Sequence, residues 1–131
     1  MKKKHVKGEG NCMYRCIGVF FHGTEARHGN IRKKVVGNMR NHKENFQEMI
    51  DGDFEEHMRN QRMMDGRQVS WATEAEIQAV SEIFRYTIFI RMELNNNKKW
   101  LKHSASSSFE HPIKWIAMEH ENDHFILMNV V

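Results

Sequence analysis

Thr73-Glu74-Ala75-Glu76-Ile77-Gln78-Ala79-Val80-Ser81-Glu82-Ile83-Phe84, then Arg85-Tyr86, then Thr87-Ile88-Phe89-Ile90-Arg91-Met92-Glu93: within this one stretch the hydrophobic period changes from helical to extended. Thr73 and Glu76 have the spacing of a capping box, in which the hydroxyl takes a first-turn amide hydrogen and the glutamate reaches back. Ile77, Val80, Ile83 and Phe84 then share one face of a helix. From Tyr86 to Glu93 the pattern alternates, with Ile88, Ile90 and Met92 set against Thr87, Phe89 and Arg91, which is the pattern of a half-buried strand.

On the N-terminal side of this switch everything reads as helix. Met13, Cys16, Ile17 and Phe20 predict a buried first helix over about 12–22, with Gly23 as its stop. Ile31, Val35, Val36 and Met39 give a second, with Arg32, Lys33, Lys34 and Arg40 expected on its wet side. Phe46, Met49 and Ile50 suggest a short third helix. Phe54 with Met58 suggests another, beyond a break at Asp51-Gly52-Asp53 and ahead of a turn at Asp65-Gly66. On the C-terminal side everything reads as strand: Trp100 to His103, Ile113 to Met118 and His124 to Val131, with a turn at Asn95-Asn96-Asn97 and a loop over Ser104 to Ser108. The expected fold class is therefore α+β, helices packed on a small, mostly antiparallel β-sheet. The 131 residues make one domain, 1–131, with no repeat or linker.

Composition bounds the partners. Lys and Arg number 20 against 17 Asp and Glu, a net charge of +3 that is too small to argue for nucleic acid. No aromatic platforms stand at a readable spacing either, so no nucleic-acid partner is expected. Met1-Lys2-Lys3-Lys4-His5-Val6-Lys7 reads as a solvated basic terminus. No apolar run approaches the ~20 residues that span a bilayer, so no membrane partner is expected. No apolar segment follows the basic start, so secretion is not expected either. The two cysteines, Cys12 and Cys16, lie four apart in a helix and fit a reducing compartment, cytoplasmic with entry to the nucleus left open. A monomer is expected.

The chemistry concentrates at Gly8-Glu9-Gly10-Asn11-Cys12. A cysteine on a glycine-rich turn at a helix start is placed for nucleophilic work: unpaired amides and a nearby imidazolium favour its thiolate. The same amides can bind the oxyanion that forms when sulfur attacks a carbonyl. Cys16, on the apolar stripe, reads as core. Among nine histidines, His22, His28, His42 and His57 read as surface residues, and His103, His111 and His120 as loop or strand-end residues. His124 differs because it heads an apolar strand that would hold an imidazole rigidly. His120-x-x-x-His124 and the two cysteines supply zinc-ligand types, but a cysteine pair four apart on one helix makes a poor tetrahedral set.

At these residues the chain resembles a known family. Glu9-Gly10-Asn11-Cys12-Met13-Tyr14-Arg15 is similar to the Asp-Gly-Asn-Cys-Leu-Phe-Arg signature of OTU (ovarian tumour) cysteine proteases. Trp71-Ala72-Thr73-Glu74-Ala75-Glu76-Ile77 resembles their central segment, and Asn122-Asp123-His124-Phe125 their Asn-His-Phe block. The resemblance implies a papain-like OTU fold and hydrolysis of the bond after the C-terminal glycine of ubiquitin or a ubiquitin-like protein. It implies Cys12 as nucleophile, His124 as base and then acid, an oxyanion hole of Gly10, Asn11 and Cys12, and no metal or other cofactor. Glu9 stands where the family has Asp. Ile126 stands where many members carry the Asp or Asn that orients the histidine; Glu9 is the first choice for that role, with Asn122 and Asp123 as alternatives. Asn129 would point to the other face of a regular strand. Glu119 and Glu121 are candidate contacts for the arginine-rich tail of ubiquitin. A catalytically impaired ubiquitin-binding module of the same fold is the alternative.

Overall fold

A computed structural model describes residues 2–7, 10–62, 71–104, 114–121 and 124–130. The switch at 73–93 is built as the pattern requires. Helix α5 (Glu74–Phe84) starts at Thr73, whose hydroxyl accepts from the Ala75 amide, while the Glu76 carboxylate accepts from the Thr73 amide at 2.7 Å. It ends where Arg85 turns left-handed (φ 60°), and strand β2 (Thr87–Leu94) follows at once.

The helices ahead of the switch are α1 (Cys12–His22), α2 (His28–Asn41), α3 (Lys43–Phe46) and α4 (Phe54–Gln61). Gly23, left-handed at φ 70°, closes α1. Asp53 caps α4, its carboxylate accepting from the Glu56 amide at 2.9 Å. The later strands are β3 (Asn97–His103), β4 (Trp115–Glu121) and β5 (His124–Val130). The expected turn at Asp65-Gly66 and nearly all of the loop from Ser104 lie outside the described residues.

One strand was not legible in the sequence. Lys2–Lys4 is β1, paired antiparallel with β5, so the basic terminus is the edge of the sheet rather than a solvated tail. Lysines are common on edge strands because they discourage further pairing. Here Lys3 also meets the buried Glu119, Nζ to Oε1 at 3.4 Å. Among the described residues the strand order is β1-β5-β4-β2-β3, with β2–β4 parallel and the other pairings antiparallel.

All the helices contribute to one core against one face of this sheet. Ile88, Ile90, Ile116, Met118, Phe125 and Leu127 supply the sheet side, and Met13, Cys16, Ile17, Val35, Met39, Met58 and Val80 the helix side. Gly18 lets α1 approach the following turn: a Cβ there would stand 2.8 Å from the Thr24 carbonyl oxygen. Elsewhere on the sheet, Phe89 lies edge-on to Trp100 and Trp115 with centroids 6.5 Å away, a row of aromatic rings the linear spacing did not reveal.

Two charged positions on the helices depart from expectation. Arg32, read as part of the wet side of α2, is fully buried, while Lys33 and Lys34 are exposed as expected. His57, read as a surface residue, is half-buried with Nε2 2.6 Å from the buried carboxylate of Glu76, and so ties α4 to α5. No described helix is long and apolar enough to cross a membrane.

Candidate active site

Cys12 is the first residue of α1 and is 5% exposed. It sits in a cleft of about 260 Å³ lined also by Gly10, Met13, Trp71, Ala72, Thr73, His120 and Phe125. The N-cap of α1, Asn11, makes no side-chain cap. Its amide oxygen is turned to Arg32 instead, accepting from Nη2 at 2.7 Å. The first-turn amides of α1 are therefore not taken up by the residue that usually caps them, which leaves the N-terminal partial positive charge of the helix directed at Cys12.

The two cysteines bond the backbone on either side of one residue of β5, Phe125. The Phe125 amide donates to Cys12 Sγ at 3.4 Å, and Cys16 Sγ donates to the Phe125 carbonyl at 3.5 Å. Cys12 is thus an acceptor, the role a thiolate can fill, whereas Cys16 must keep its proton. Burial, aided by the nearby Cys12 and Glu25, pushes the Cys16 thiol far above its ordinary range. This separates a thiol kept for packing from one poised in a cleft, and neither is in a disulfide.

His124 heads β5, and the peptide joining it to Phe125 carries the N–H that bonds Cys12. Its ring is half-buried, and its Nδ1 is buried with no hydrogen-bond partner among the described residues. Ile126, two residues on and 7% exposed, offers none. Of the sequence-derived orienters, Glu9, Asn122 and Asp123 lie outside the described residues. Gly10 and Asn11 stand beside Cys12 as expected, both buried.

The two acidic candidates separate. Glu119 is 4% exposed and turned to Lys3 at 3.4 Å and Arg91 at 3.9 Å, so it is not presented to a partner's tail as expected. Burial alone would raise its carboxyl; the Lys3 bond and the charges of Lys3, Lys98 and Arg91 outweigh that and hold it below the ordinary carboxylate range. Glu121 is exposed and directly opposite His124 in the β4–β5 register.

Sequence reasoning missed His120. It pairs with Phe125 across β4–β5, stacks on that ring at 4.3 Å with the planes 5° apart, and lines the Cys12 cleft. The alternation of β4 could have put it on the cleft face, had the register been known.

A family model described as OTU-like cysteine protease matches residues 7–125 of the chain. The chain belongs to the OTU family. It is 28% identical over 93 residues to human OTU domain-containing protein 4, a match covering 71% of this chain and 8% of that one. Over 85 residues it is 25% identical to OVARIAN TUMOR DOMAIN-containing deubiquitinating enzyme 10 of Arabidopsis thaliana, covering 65% of this chain and 23% of that one. The OTU domain thus spans only a small part of the length of these relatives. Its fold is that of the OTUD1 OTU domain (TM-score 0.78, 19% identity, 96% of this chain and 83% of that one). It is also that of the Hazara virus OTU bound to ubiquitin (TM-score 0.73, 12% identity, 99% and 81%). The helices and the mostly antiparallel sheet of this OTU domain are those the α+β reading expected.

Proposed function

We propose that the chain is a thiol-dependent deubiquitinase that cleaves the peptide or isopeptide bond after the C-terminal glycine of ubiquitin or a ubiquitin-like protein. The carrying observation is the Phe125 amide on Cys12 Sγ at 3.4 Å, a bond that supports the reading because it ties the strand headed by His124 to the cleft cysteine. In this mechanism His124 takes the proton of Cys12, and the thiolate adds to the glycine carbonyl carbon. Amides of Gly10, Asn11 and Cys12 stabilise the oxyanion. His124 returns the proton to the leaving amine, giving a thioester on Cys12. Water, deprotonated by His124, then releases the carboxylate and restores the thiol. Each step is complete without a metal or organic cofactor. The Hazara virus OTU and a Wolbachia pipientis OTU deubiquitinase, both bound to ubiquitin and both of this fold, support ubiquitin as the partner. The protein acts as a monomer in the reducing cytoplasm, the compartment that its cysteine usage favours.

The second reading, an impaired module that binds ubiquitin without cleaving it, draws on Ile126 and on a His124 Nδ1 that has no partner among the described residues. One experiment separates the two. A ubiquitin carrying a C-terminal electrophile should label wild type at Cys12, Cys12→Ala should abolish the adduct, and His124→Ala should slow hydrolysis. Binding with no adduct supports the module, and neither binding nor adduct sinks both readings.

A further inference from the structure

We propose that Arg32 is a positioning residue for the Cys12 turn, acting with Gln61 to tie two segments of the cleft to one geometry. The inference rests on the assignment of Cys12 as the nucleophile. Both side chains are 0% exposed. A guanidinium withdrawn from water is costly unless its donors are satisfied, and a position two residues later on α2 would have left it solvated.

Its bonds form a path. Nη2 donates to the Gly10 carbonyl at 3.2 Å and to Asn11 Oδ1 at 2.7 Å. Nη1 donates to the Gln61 carbonyl at 3.0 Å and to Gln61 Oε1 at 3.2 Å. Gln61 Nε2 in turn donates to the Trp71 carbonyl at 2.9 Å. Tyr14 completes the mount: its ring lies under the guanidinium at 4.3 Å, and its hydroxyl donates to Gln61 Oε1 at 3.1 Å. Gly10 and Trp71 both line the cleft around Cys12. Only a planar fork reaches this many acceptors from one stem, so lysine is no substitute.

Peptide planarity explains why this matters for chemistry. In a trans peptide the carbonyl of one residue and the amide of the next point in opposite directions. With the Gly10 carbonyl held toward Arg32 in the interior, the Asn11 N–H is held facing away from it. A flip of that peptide would set an acceptor where the oxyanion reading needs a donor. Arg32 prevents the flip without touching substrate.

The test compares wild type, Arg32→Met and Arg32→Lys in two reactions. Hydrolysis of a ubiquitin C-terminal aminomethylcoumarin needs the oxyanion donors, whereas alkylation of Cys12 by iodoacetamide, read by mass spectrometry, needs only the thiolate. Folding is checked by circular dichroism. Losing one oxyanion donor costs about 100-fold in kcat, so both variants should fall by that order while KM and the alkylation rate stay within about threefold. Should Arg32→Met fail to fold, Arg32→Lys, which retains the charge, carries the comparison alone. Arg32→Lys hydrolysing within about threefold of wild type overturns the proposal, as does hydrolysis falling only in step with alkylation. Wild type that neither hydrolyses nor accepts the ubiquitin electrophile overturns the functional reading instead, before any variant is made.

Discussion

Ile126→Asn should make the protein a faster enzyme and a less stable one. His124 and Ile126 lie two apart on β5, so they face the same side of the sheet. The buried Nδ1 of His124 has no partner among the described residues, and the isoleucine gives it none. A buried polar atom without a partner costs about 1–3 kcal/mol. Supplying an acceptor that selects the productive tautomer and orientation recovers up to that amount in the transition state, which is roughly 5- to 150-fold in kcat. Asparagine is preferred to aspartate because Glu119 stands opposite position 126 in β4, and a second buried carboxylate there would repel it. The loss of the buried isoleucine costs about 1.5–3 kcal/mol of folding stability, within what a domain of this size can lose. The assay is steady-state hydrolysis of a ubiquitin coumarin substrate, paired with urea unfolding of the same preparations. A folded Ile126→Asn variant whose kcat equals wild type refutes the reasoning, since it means that His124 is already held by some other group.

Burial pushes the Cys16 thiol up, so at about pH 8 native protein should be alkylated at Cys12 and not at Cys16; double modification without unfolding contradicts the division of roles. Glu119's depressed carboxyl adds stability that is present above its unfolded-state value and lost as pH falls through the lower folded-state value. Lys3→Met should therefore destabilise at neutral pH by about 0.2–1 kcal/mol, Lys3 being half-exposed, and the gap to wild type in urea midpoints should close in acid. Gly18→Ala forces a Cβ to 2.8 Å from the Thr24 carbonyl and should cost about 1–3 kcal/mol in chemical denaturation, with an unchanged midpoint counting against the close approach.

The elements that could be read from the sequence are those whose pattern is local. The capping box at Thr73 and Glu76, the helix stop at Gly23 and the alternation after Tyr86 each carry their own signal over a few residues. What could not be read depends on partners distant in the chain. Lys2–Lys4 is a strand only because β5 offers it a ladder and Glu119 a charge. Arg32 looks like its lysine neighbours on a helical wheel; it is buried because Gly10, Asn11 and Gln61 present acceptors from two other segments. His120 reaches the cleft through a strand register that no local pattern encodes. The cysteine was legible because the glycine-rich turn and the helix start are contiguous with it.

The grip on the Phe125 backbone also bears on how a site with Ile126 at the usual orienting position can work. An orienter does two things for a histidine: it fixes which nitrogen carries the proton, and it keeps the ring within reach of the sulfur. Here the second task falls largely to backbone. Cys16 Sγ holds the Phe125 carbonyl and Cys12 Sγ receives its amide, so the head of β5 is tied to α1 whatever stands at position 126. Only the choice of tautomer and ring rotation is then left to Nδ1. Ile126 should therefore leave kcat low while β5 stays tied to α1. Cys16→Ala, which releases one end of the grip, should harm hydrolysis even though Cys16 never meets substrate.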